Sequence, residues 1–175
     1  MNEQRKRLSS NKGLTLVELL ATITILSIIG VLIYSVLFNG MKSYERTMEE
    51  SKLRDEADYI MANLIDHFFS IKVSDVIELP DANGGKNYVT ILQNGEEKIF
   101  GFKNGDVYVS GEKLALLDSN VQITDESTII PMNESEFAVK LVLQMKDSER
   151  TMELTSVINI IDDQGGGELI GLYEK

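Results

Sequence analysis

Hydrophobic residues are spread unevenly along this chain, and their spacing changes twice. From Leu14 the chain is almost wholly apolar, and after Glu18 no charged residue appears until Lys42. Residues 19–41 are 23 uncharged positions, about 35 Å long as a helix at 1.5 Å per residue. That length spans a hydrocarbon core of roughly 30 Å. A buried core helix seldom runs uncharged for so long. The run also exceeds the apolar stretch of a secretory signal peptide, and no small-x-small cleavage site follows it. The pattern therefore predicts a transmembrane helix.

The second pattern is helical but amphipathic. Ala57, Ile60, Met61, Leu64, Ile65 and Phe68 recur at three- and four-residue steps after a charged stretch that includes Glu49, Glu50, Lys52, Arg54 and Glu56. Glu50 and Arg54 have the spacing of an i,i+4 pair. No proline occurs before Pro80, so one helix over about 14–70 is predicted, with Gly30 and Gly40 as points of bending or local melting.

Beyond residue 70 the period shortens to two. Strands are predicted over 73–79, 88–92, 98–102, 107–109, 121–124, 137–145 and 152–161. The pairs Asn94-Gly95 and Asn104-Gly105 separate three of these runs. Asn and Gly tolerate the positive φ of type I′ turns, so a three-stranded meander is expected there. The fold class is α+β: a long N-terminal helix, its first half transmembrane, packed on a C-terminal antiparallel sheet.

Charge sharpens the picture. The total is -11. In residues 1–13, Arg5, Lys6, Arg7 and Lys12 oppose only Glu3, so this leader carries +3 and the remainder -14. A basic segment before the apolar run places the N-terminus in the cytoplasm and the body outside. The acidic body disfavours nucleic acid as a direct partner. With no Cys and a single His, His67, there is no material for thiolate metal sites or a Ser-His triad. No catalytic residue, metal site or cofactor is expected.

Glu18 interrupts the apolar run near its start. A lone carboxylate costs about 2.5–3.5 kcal/mol at mid-bilayer and less near the edge. It is either a tolerated interfacial charge or a group with a cationic partner after assembly.

The stretch Lys12-Gly13-Leu14-Thr15-Leu16-Val17-Glu18-Leu19-Leu20 resembles the cleavage and methylation motif of type IV pilins and type II secretion pseudopilins. The resemblance implies that a prepilin peptidase cuts after Gly13 and methylates the new N-terminal residue, Leu14. Phenylalanine is usual in the family where Leu14 stands. The family's assembly glutamate falls on Glu18, which would pair with the N-terminus of a neighbouring subunit. A cleaved α-amino group has a reference pKa near 7.7–8.0, so it can supply the cation.

The resemblance divides the chain into a leader (1–13), a transmembrane and assembly helix (14–41), an extracytoplasmic helix (42–72), a sheet body (73–161) and a Gly-rich tail (162–175). The implied function is that of a structural subunit, a minor pilin or pseudopilin of a pilus, secretion or competence filament. Its partners would be other pilins or pseudopilins, the prepilin peptidase, the inner-membrane assembly platform and membrane lipid. A filament-tip module binding DNA or a secreted substrate is the alternative, and a membrane-anchored enzyme a more remote one. The tail, with Asp162, Asp163 and Glu168, reads as a flexible linker better than as a calcium loop, because its acids lack the alternating ligand spacing. Residues 169–173 could add a short edge strand.

Overall fold

A computed structural model describes residues 15–81 and 85–164. The chain divides into two units, Met1–Arg46 and Thr47–Lys175. Helix α1 (Leu16–Phe68) runs through the boundary. It is unbroken at Gly30 and Gly40. A single glycine costs a helix only about 1 kcal/mol, too little to interrupt a run of good helix formers.

In the first unit every described side chain of α1 is exposed. In the second unit α1 buries one stripe, Leu53, Glu56, Ala57, Ile60, Met61, Leu64 and Phe68. This is the predicted stripe extended one turn toward the N-terminus, with Ile65 packed at its margin. It packs on antiparallel sheets, which makes the fold α+β.

The first sheet is a meander in the order β1-β2-β3-β4-β5, made of β1 (Val76–Glu78), β2 (Asn87–Gln93), β3 (Glu96–Lys103), β4 (Asp106–Val109) and β5 (Glu112–Lys113). Its hairpins turn where the sequence indicates: Asn94 and Gly95 have φ of 56° and 80°, Asn104 and Gly105 of 55° and 77°. Ser110 and Gly111 repeat the geometry between β4 and β5, with φ of 55° and 82°. The predicted strand over 73–79 is shorter. Val73–Asp75 forms a 3-10 turn instead, because the backbone N–H and hydroxyl of Ser74 both donate to Asp163. Such side-chain bonds offer the backbone an alternative to a ladder.

The second sheet contains β6 (Val121–Ile123), β7 (Thr128–Pro131), β8 (Glu136–Met145) and β9 (Thr151–Asn159). Strand β8 is central. On one side it pairs along its length with β9; on the other it pairs with β6 at one end and β7 at the other. Ser127 fills the gap between β6 and β7. Its buried hydroxyl donates to the Val142 carbonyl at 3.2 Å and accepts the Val142 N–H at 2.9 Å. The alternation predicted for β8 holds for Phe137, Val139, Leu141, Leu143 and Met145, all buried, and is broken at Val142, which is buried on the opposite face.

Phe68 joins the helix to both sheets. Its ring meets Phe100 of β3 edge-on at 6.0 Å and Phe137 of β8 at 5.8 Å. Gly101, between Phe100 and Phe102, has φ of 129°. A Cβ there would lie 2.6 Å from the Asn87 carbonyl oxygen and 2.7 Å from Ile129 Cδ1. Gly101→Ala is expected to cost about 2–3 kcal/mol through this overpacking and the unfavourable φ. Urea denaturation of the variant would check it; an unchanged midpoint would contradict the tight contact.

Candidate functional site

The first candidate site is the start of α1. Thr15 is the helix N-cap: its hydroxyl oxygen accepts the Glu18 N–H at 3.2 Å. The same hydroxyl donates to Glu18 Oε2 at 3.4 Å. Thr15 and Glu18 have the spacing of a capping box, Thr-x-x-Glu, which places a carboxylate at the positive end of the helix dipole. That spacing is visible in the sequence and was missed, because Glu18 reads first as a charge in an apolar run. Gly13 and Leu14 lie outside the described residues.

Polar side chains deeper in the run bond to their own helix. Thr22 donates to the Glu18 carbonyl at 2.7 Å, Thr24 to Leu20 at 2.8 Å and Ser27 to Ile23 at 2.8 Å. With hydroxyls satisfied by i-4 carbonyls, the outer surface is effectively apolar. A window of this helix reaches a mean hydropathy of 2.5, none of it buried. Such a surface is stable only against lipid or other apolar protein.

The second candidate site lies in the second unit, where two loops grip α1. Glu56 is 1% exposed. Its two carboxylate oxygens accept consecutive backbone N–H groups, Leu117 at 3.0 Å and Asp118 at 2.9 Å. One turn earlier, Lys52 pairs with Asp118 at 2.8 Å. The Lys52 side chain and the Asn120 N–H hold the Asp118 carboxyl below the ordinary carboxylate range, and Asp118 raises Lys52 in return. Nearby, Arg150 from the β8–β9 turn lies 3.2 Å from Glu49 and 3.8 Å from Glu50. The expected Glu50–Arg54 pair is not among the ion pairs of the described residues. Glu50 faces Arg150, a partner about a hundred residues away that helix spacing cannot reveal.

This grip is structural chemistry. The segment 114–120 links β5 of one sheet to β6 of the other, and Glu56 fixes it to the helix. Glu56 falls on the Leu53-Ala57-Ile60 stripe, so its position among core residues is readable from spacing.

The remaining sequence candidates resolve simply. Asp163 holds Ser74, which keeps its carboxyl low; Glu168 and residues 169–173 lie outside the described residues. His67 is half-buried, and its carbonyl accepts the Ser70 hydroxyl at 2.7 Å. Among the described residues one basic-aromatic spot is present: Lys86 and Lys103 lie 4.7 Å and 5.1 Å from the Tyr88 ring centre. Lys86 is also paired with Glu78, which pulls the Glu78 carboxyl down and lowers the local positive charge.

A capped, uncovered apolar helix of membrane length, continuous with a helix that packs on antiparallel sheets, defines a pilin-like α+β protein. The family model for the prokaryotic N-terminal methylation motif matches residues 8–34. That motif is the cleavage and methylation signature of the type IV pilin and pseudopilin superfamily, and the matched stretch covers 27 of the chain's 175 residues. The match spans Gly13, Leu14 and Glu18 and ends within the apolar run. No curated protein and no solved structure matches the chain. Superfamily members are in general structural subunits, not enzymes. The motif implies processing by prepilin peptidase and assembly with other pilins, from a membrane-anchored precursor.

Proposed function

We propose that the protein is a minor pilin or pseudopilin, a structural subunit of a type IV pilus-like filament. Prepilin peptidase removes residues 1–13 by cutting after Gly13 and methylates Leu14. Residues 14–41 then hold the subunit in the membrane, with the leader side cytoplasmic and the body outside. During assembly the same surface exchanges lipid for the helices of neighbouring subunits, through the inner-membrane platform. The observation that carries this reading is the continuity of the motif with α1. The match at 8–34 runs directly into a helix whose side chains are exposed throughout the first unit.

Glu18 has a defined place in the mechanism. In the single subunit its carboxylate accepts the hydroxyl of Thr15, the residue that caps the helix. In the filament it pairs with the Leu14 α-amino group of a neighbour, so two charges costly in an apolar interface become a device that sets register. The Thr15 contact and the pair use the same carboxylate, so one charge serves both states.

Glu18→Leu and Glu18→Ala are expected to lower incorporation into filaments at least tenfold while leaving cleavage after Gly13 intact. Immunoblots of sheared filaments and of membranes would measure both. Incorporation at the level of the unaltered chain would contradict the role given to Glu18.

A further inference from the structure

Asparagine followed by glycine is a labile pair. The glycine nitrogen can reach the asparagine side-chain carbonyl carbon, and no Cβ hinders the approach. Three such pairs lie among the described residues: Asn39-Gly40, Asn94-Gly95 and Asn104-Gly105. Asn39-Gly40 is inside α1, which takes up the Gly40 N–H in its own ladder of i to i-4 bonds. The other two pairs form hairpin turns, closed by the ladder pairs Gln93–Glu96 and Lys103–Asp106. The N–H groups of Gly95 and Gly105 lie outside these ladders. Neither they nor the two Asn side chains have a hydrogen-bond partner among the described residues.

The two turns differ in their surroundings. Asn94, Gly95, Glu96 and Glu97 are all exposed. A Cβ on Gly95 would meet nothing within 4 Å, so a ring closed at this turn has open space around it. Asn104 is exposed, but Gly105 is half-buried, and a Cβ there would lie 3.8 Å from the Ile123 carbonyl oxygen. Strand β6 thus backs the β3–β4 turn, while the β2–β3 turn has no such backing among the described residues.

We propose that Asn94 is a site of spontaneous deamidation, the most labile of the three, and that its isoaspartate product loosens the β2–β3 hairpin. The Gly95 nitrogen attacks Asn94 Cγ. The N–Cγ bond forms, the Cγ–Nδ2 bond breaks, and the side-chain nitrogen leaves as ammonia with the Gly95 proton. Water then opens the cyclic imide. Attack at the side-chain carbonyl gives aspartate; attack at the backbone carbonyl gives isoaspartate, whose main chain runs through Cγ. Either product adds a negative charge beside Glu96 and Glu97. With φ of 56° and 80°, Asn94 and Gly95 are held in type I′ geometry, and ring closure requires Asn94 to turn out of it. The reaction therefore proceeds through local opening of the hairpin tip. Aspartate tolerates the left-handed region much as asparagine does, so it keeps the turn. Isoaspartate adds a methylene to a loop whose length fixes the register. That register sets Val89 opposite Phe100, both buried. The proposal is independent of the filament reading and holds or fails without it.

The test ages the full-length protein in detergent in mildly alkaline buffer. Peptide mapping by mass spectrometry reads asparagine, aspartate and isoaspartate at each pair. Short synthetic peptides carrying residues 91–97 and 101–107 give the rates without the fold and correct for sequence effects. After that correction, conversion at Asn94 should run about threefold or more ahead of Asn104, because the more open turn frays more often. Asn39 should stay unconverted, and isoaspartate should be the main product at Asn94. Hydrogen exchange then compares the fresh chain, the isoaspartate fraction and Asn94→Asp, which adds the charge without the extra backbone atom. Amides of β2 and β3 should exchange about threefold or more faster in the isoaspartate fraction alone, with β8 and β9 unaltered. Equal or faster corrected conversion at Asn104 would overturn the choice of site. An isoaspartate fraction as protected as the fresh chain, or no more open than Asn94→Asp, would overturn the effect on the hairpin.

Discussion

Phe68→Ala is expected to destabilise the body by about 3–5 kcal/mol, the range for removing a fully buried phenylalanine. The reason lies in its position. Phe68 is fully buried and touches one aromatic ring from each sheet, Phe100 and Phe137. Removing it leaves a cavity at the point where helix and both sheets meet, so no single element can shift to fill it without breaking contact with another. Edge-to-face pairs add about 0.5–1.5 kcal/mol each beyond area burial. Phe68→Leu keeps most of the volume and should cost clearly less. Urea denaturation of the two variants would measure the difference. Equal, small losses would mean that the core collapses around this site and that the sheets are joined elsewhere.

Glu56→Leu is expected to cost about 3–4 kcal/mol, although it places an apolar residue on an apolar stripe. The carboxylate is the acceptor for the N–H groups of Leu117 and Asp118. Both bonds are part-buried, and a donor left without a partner in a buried setting costs about 1–3 kcal/mol. Loss of the grip also frees the connector between the sheets, leaving Lys52 and Asp118 as its exposed tie to the helix. Glu56→Gln keeps one acceptor oxygen and should fall between the two. Hydrogen exchange at the amides of Leu117 and Asp118 reports this contact directly. Protection there should drop in Glu56→Leu before the strands of the second sheet are affected. Unaltered protection would show that the connector is held by its other contacts.

How far the fold could be read in advance follows the range of the forces involved. The apolar run, the stripe ending at Phe68 and the Asn-Gly turns are local, and the structure has them where the sequence indicates. Ser110-Gly111 is also local, but serine is a weaker signal for positive φ than asparagine, and that turn was missed. Strand β7 was missed because Thr128–Pro131 is short and ends in proline. Its pairing with β8 depends on Ser127 closing the gap at Val142. The division into two sheets was not specified, because it depends on where residues 114–120 cross the helix. That crossing is set by Glu56 and Lys52, some sixty residues earlier. The 3-10 turn at Val73–Asp75 likewise depends on distant Asp163.

The candidate site shows the same division. The motif from Lys12 to Leu20 was legible because it is contiguous. The capping role of Thr15 is legible too in the Thr-x-x-Glu spacing, although Glu18 also reads as a charge in an apolar run. Glu56 carries the opposite lesson. A charged residue on a buried stripe signals a long-range partner, although spacing alone does not say which backbone it binds.

The central claim is that residues 1–13 are a leader removed by prepilin peptidase. Intact mass of the protein from cells with and without that peptidase tests it most directly. The predicted result is a chain beginning at Leu14 with one added methyl group in peptidase-positive cells, and the full chain from Met1 without the enzyme. A chain that begins at Met1 in both would contradict the account, and would leave a membrane-length helix joined to an α+β body with no route into a filament.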